Sequence, residues 1–166
     1  MRRGVLTLIL AFAVHSGPAF GQTDFGDSDA PIFVEADKAT YRGEMTLLEG
    51  KVDVKQGTAH IQSDAMEIYR EKREDDETIG LSLGAVTRIV AIGNFVYRTP
   101  DDVVRGDRGV YNRQTGIITV TGNVSVGQPG SSRLSGDRLV YDLNTKRARI
   151  GDGTGRVNFS VNQDKD

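Results

Sequence analysis

Cysteine is absent from this 166-residue chain, which excludes disulfide frameworks, thiolate nucleophiles and sulfur ligands for zinc. Histidine occurs only 2 times. His15 falls in an N-terminal apolar stretch, so His60 stands alone, and one imidazole without such neighbours is not a metal site. Tryptophan is missing and proline is scarce, at 4 residues. A basic excess is also missing: 21 Lys and Arg face 23 Asp and Glu, for a net charge of −2. That lacks the positive face of a nucleic-acid binder, so no nucleic-acid partner is expected. No apolar run reaches the roughly 20 residues of a membrane-spanning helix. Gly151-Asp152-Gly153-Thr154-Gly155 has GxGxG spacing, but no helical pattern follows it to hold a phosphate. Asp75-Asp76 and Asp101-Asp102 lack the spaced oxygens of a calcium loop. Neither a metal nor another cofactor is expected.

Glycine is what the chain has in quantity, 20 residues, beside a modest 37% of apolar residues. This combination suits one all-β domain rich in turns. The N-terminus carries an export pattern. Met1-Arg2-Arg3 is basic, Val5–Val14 is apolar, and Ala19-Phe20-Gly21 offers small residues to a signal peptidase. A signal peptide over residues 1–21, cleaved near Gly21/Gln22, is the expectation. Its loss would remove two positive charges, taking the net charge from −2 to −4. Residues 22–30 are polar and read as a disordered leader, as do 162–166 at the tail.

Between them a module repeats. Its first half is Asp followed four residues later by Tyr: Asp37 and Tyr41, Asp107 and Tyr111, Asp137 and Tyr141, with Asp64 and Ile68 as a degenerate copy. Its second half is a Gly leading an alternating strand: Gly50 to Val54, Gly93 to Tyr97, Gly122 to Val126, Gly155 to Phe159. The Asp-to-Asp steps are 27, 43 and 30 residues, and repetition near 30 indicates units that bury an apolar face against their neighbours. Val52 and Val54 alternate with Asp53 and Lys55, and Val157, Phe159 and Val161 with Arg156, Asn158 and Ser160. One apolar and one wet face is the antiparallel pattern. Turn residues part the strands at Arg42-Gly43, Gln56-Gly57, Thr115-Gly116 and Asn144-Thr145. Residues 70–87, opening with Arg-Glu-Lys-Arg-Glu-Asp-Asp-Glu, read as a charged loop insertion.

The recurring Asp residues raise the question of catalysis. Equivalent positions along a stack do not converge on one substrate atom, and no base, nucleophile and oxyanion donors assemble around them. Each is expected instead to begin a strand, bonding its own backbone in a turn. No catalytic residue is assigned, and the chain is expected not to be an enzyme. Positions two and four after each Asp share a face: Ala39 and Tyr41, Met66 and Ile68, Gly109 and Tyr111, Leu139 and Tyr141. They form either a sealed core or the wall of an open groove that takes an acyl chain. A structural or adhesive β-solenoid and a carbohydrate-active β-helix enzyme are the alternatives on these residues alone.

Three stretches narrow the choice. They are Pro31-Ile32-Phe33-Val34-Glu35-Ala36-Asp37, Gly50-Lys51-Val52-Asp53-Val54 continuing to Ser63-Asp64, and Asp107–Val126 continuing to Gly136-Asp137-Arg138-Leu139-Val140-Tyr141. In this order they resemble the LptA/OstA family of periplasmic lipopolysaccharide transport proteins. The charged insertion and Lys51, where the family usually has Asn, depart from it. The resemblance implies a twisted, partly open antiparallel β-jellyroll in the periplasm, with a groove that shields the acyl chains of lipid A. It also implies head-to-tail self-association into a bridge. An inner-membrane LptC-like protein would meet the N-terminal edge and an outer-membrane LptD-like protein the C-terminal edge. A membrane-anchored member of the same family is the nearest rival. Parity and resemblance together place Ile32, Val34, Val52, Val54, Ile61 and Met66 in the groove lining, with Ile68, Phe95, Tyr111, Val124, Leu139 and Tyr141. Ile32, Phe33, Val34 and Glu35 at one edge, and Val157, Phe159 and Val161 at the other, are the expected partner contacts.

Overall fold

The computed structural model describes residues 32–71, 85–128, 133–145, 147–152 and 154–160. The expected signal peptide, leader and tail, with Val161, lie outside the described residues. Ten strands follow one another: β1 (Ile32–Glu35), β2 (Lys38–Arg42), β3 (Met45–Gln56), β4 (Ala59–Arg70), β5 (Val86–Arg98), β6 (Val103–Asn112), β7 (Ile117–Gly127), β8 (Arg133–Asp142), β9 (Arg147–Ile150) and β10 (Asn158–Ser160). They make one antiparallel sheet in which β3 to β8 pair in sequence order. β1 and β2 together line the free side of β3, and β9 and β10 do the same for β8. Among the described residues the first and last strands do not pair with each other, so the sheet stays open. This is the partly open antiparallel jellyroll that the resemblance implies, with the antiparallel pairing that the alternation indicates.

The expectation that each Asp starts a strand holds at Asp37, directly before β2, and is overturned at the other three. Asp64, Asp107 and Asp137 lie inside β4, β6 and β8. Asp64 and Asp107 instead meet a bulge on the following pass of the chain, as Asp37 does. Gly50 and Lys51 adopt φ of 78° and 48°, Gly93 and Asn94 74° and 48°, Gly122 and Asn123 75° and 49°. A pair of left-handed residues inserts extra chain and shifts the register there. Glycine is needed for more than its φ. A Cβ on Gly50, Gly93 or Gly122 would collide with the carboxylate of Asp37, Asp64 or Asp107. The next residue locks two of these clamps: Asn94 Nδ2 donates to Asp64 Oδ2 at 2.8 Å and Asn123 Nδ2 to Asp107 Oδ2 at 3.0 Å. Lys51 makes no such bond among the described residues. In the last copy Asp137 still lies against Gly155, but the chain between β9 and β10 has no strand.

The clamps set which side chains point inward. On β3, β5 and β7 the bulge keeps inward parity across the break, from Leu48 to Val52, Ala91 to Phe95 and Val120 to Val124. The core is assembled from these residues together with Val54, Ala59, Met66, Ile68, Tyr97 and Leu139. The charged insertion is shorter than residues 70–87, because β4 runs through Arg70 and β5 begins at Val86. Residues 72–84 lie outside the described residues.

Candidate functional site

Direct cross-strand neighbours on the inner face line up into rows that cross the whole sheet. One row runs Val34, Val54, Ile61, Tyr97, Val104, Val126, Leu134, Phe159. A second runs Ala39, Leu48, Met66, Ala91, Gly109, Val120, Leu139, Ile150. A third runs Tyr41, Thr46, Ile68, Ile89, Tyr111, Ile118, Tyr141, Ala148. Opposed residues on one face lie about 5 Å apart, so each row is a continuous apolar track. All three leave the protein at both unpaired edges.

Between the rows lies a cavity of about 140 Å3. Ile61, Met66, Ile89, Ala91, Phe95, Tyr97, Asp102, Val104, Gly109, Ile118, Val120, Val126, Leu139, Tyr141 and Ala148 line it. Gly109 keeps it open, since a Cβ there would meet the Phe95 ring. Asp102 supplies the lone carboxyl of this lining. It sits in the turn between β5 and β6, where its amide donates to Thr99 Oγ1 at 3.0 Å and its carbonyl accepts from the Thr99 amide. Burial, with the nearby Asp101 charge, pushes the Asp102 carboxyl above the usual carboxylate range.

Five residues expected in the groove line this cavity: Ile61, Met66, Phe95, Leu139 and Tyr141. Val52, Val54, Ile68 and Val124 are buried in the same core but do not line the cavity. Tyr111 is half-buried in the third row, beside the cavity rather than on its wall. Ile32 and Val34 sit at the open edge, exposed on β1. Parity missed Ile89, Tyr97, Val104, Ile118, Val126 and Asp102, although Tyr97 and Val126 occupy the same place in the Gly module as Val54. Phe33 and Glu35 lie on the same edge strand, and Phe33 is 64% exposed. Phe159, on β10, is 68% exposed, with Val157 exposed just before it.

The outer face holds the lone imidazole. His60 Nε2 lies 2.7 Å from Asp53 Oδ2, which also accepts from Gln62 at 3.2 Å, while Lys55 approaches Oδ1 at 3.3 Å. Burial opposes the Asp53 charge, but the bonds from His60, Gln62 and Lys55 outweigh it and hold the carboxyl below its ordinary value. Among the described residues no cluster has the composition of a metal site.

A family model described as LptA/(LptD N-terminal domain) LPS transport protein matches residues 33–147. The chain is similar in structure to LptH, described as the LptA homologous periplasmic component of the conserved lipopolysaccharide transport device from Pseudomonas aeruginosa. That likeness has a TM-score of 0.64 at 19% identity and covers 81% of this chain and 96% of the other. No curated protein matches the chain in sequence.

Proposed function

Since the chain belongs to the LptA/(LptD N-terminal domain) family of LPS transport proteins, we propose that its open apolar face carries the acyl chains of lipopolysaccharide through water. The family is a transport family, and the chain is not an enzyme. It works in the periplasm, as LptH is described to do. The observation that carries the reading is the set of apolar rows that run from edge to edge and enclose a cavity midway. An acyl chain of roughly ten methylenes left in water costs about 8 kcal/mol, and a track of Ile, Val, Phe and Tyr side chains removes that cost. Because the rows do not stop at a wall, a chain leaving one copy meets the same kind of surface on the next. The free edges at β1–β2 and β9–β10 offer the unpaired backbone needed to add another sheet. We assign head-to-tail contact to those edges, an LptC-like partner to the N-terminal one and an LptD-like partner to the C-terminal one. The signal peptide over residues 1–21 supplies the export this role requires.

A photocrosslinking amino acid tests the groove at two neighbouring positions of β7. At Ile118, on the inner face, it is expected to trap lipopolysaccharide in cells. At Thr119, on the outer face, it is not. Equal trapping at both, or none at Ile118, would sink the groove assignment.

A further inference from the structure

The two ends of the inner face differ in charge. At the end where β4 meets β5, Arg70 takes the next inward position after Ile68. Its cross-strand partner Val86 packs against the core. The guanidinium turns across the inner face and donates from Nη1 to Oγ1 of Thr46 at 3.0 Å, and Thr46 is itself a buried member of the third row. Arg113 reaches the same corner, donating from Nη1 to the Val86 carbonyl at 3.4 Å. Glu44 and Glu71 are exposed nearby, yet neither forms an ion pair with these arginines among the described residues. Arg70 is therefore a half-buried cation at the lip of an apolar track, with Thr46 as its side-chain partner among the described residues. At the opposite end, inward-facing Asp102 brings a carboxylate to the track, with the exposed Asp101 charge beside it, while Arg98 and Arg133 take outward positions.

An anionic amphiphile lying on this face is not indifferent to direction. A phosphate at the Arg70 end meets a planar fork of N–H donors, with bonds that are charge-assisted and strengthened by partial desolvation. At the Asp101–Asp102 end it meets like charge. We propose that Arg70 anchors the phosphate-bearing head of the lipid, and that the carboxylates at the far end fix the orientation by repelling it. This rests on the carrier reading above and adds a direction to it.

The test uses the purified chain with lipopolysaccharide and with the same lipid after removal of its phosphates. Arg70→Gln is expected to weaken binding of the phosphorylated lipid about 10- to 100-fold, the range for one charged hydrogen-bonding group. It should leave binding of the dephosphorylated lipid as in the wild type, which also shows that the variant is folded. Arg70→Lys keeps the charge without the fork and should lose only a few-fold. Asp102→Asn should tighten the phosphorylated lipid several-fold. Equal weakening of both lipids by Arg70→Gln, no weakening of either, or weaker binding by Asp102→Asn overturns this inference alone. A wild-type chain that binds neither lipid overturns the carrier reading and this inference with it.

Discussion

Single residues show where the repeat is sound and where it is compromised. Asn94 and Asn123 accept a left-handed backbone and bond the Asp opposite. Lys51 adopts the same φ of 48° without either advantage, since Asn tolerates that region better than Lys. Lys51→Asn should therefore stabilise the fold by roughly 0.5–1 kcal/mol, read from the midpoint of denaturant unfolding. No gain would mean that Asp37 is already satisfied. Asp102 gives a pH dependence of definite sign. Its folded pKa lies above its unfolded one, so its charge costs stability at neutral pH. That cost lifts as pH falls through the raised folded value toward about 4, the ordinary carboxylate range. Asp102→Asn should raise the melting temperature at pH 7, and the gain should vanish once both forms are protonated. Asp53 has the opposite sign: its depressed carboxyl adds stability at neutral pH that is lost as pH falls through its lowered value.

Among elements, the interior strands were largely legible in the sequence and the breaks within them were not. Alternation at Val52-Asp53-Val54 named the inward face correctly, because period two needs only local parity. The Asp residues misled, since a small residue before Asp also fits a turn. Their carboxylates have their reason in a glycine on the next pass of the chain, between 13 and 29 residues later. Depth was hidden for a similar reason. Val126 lines the cavity and Val124, two steps before it on the same face of one strand, does not, a difference that parity cannot express. Arg70 was hidden in a charge run, where nothing local separates the last strand residue from the loop after it. The edge strands carry a prediction of their own. Phe159 pairs with Leu134 of β8 and is exposed, so Phe159→Asp should cost less than about 1 kcal/mol of stability, as exposed substitutions do. Sedimentation should show that it abolishes self-association; unchanged association would remove β10 from the contact.

At the scale of the molecule, charge divides along the order of the strands. Residues 32–71 hold 5 basic and 8 acidic side chains, whereas residues 85–160 hold 11 basic and 6 acidic. A near-neutral total therefore conceals a molecule that is negative toward its first strands and positive toward its last. Copies joined end to end present opposite signs to each other, which guides encounter and disfavours joining like ends. The openness of the sheet has a mechanical side as well. In such a row the hydrogen bonds of every sheet lie along the direction of pull, so tension is borne by the strand pairs in series. Among the described residues β10 grips β8 through 3 paired residues, against 10 between β3 and β4. In the proposed row of copies, tension would thus open the outer strand of the C-terminal edge before it reached the long pairs of the interior, whose apolar rows would keep their shape.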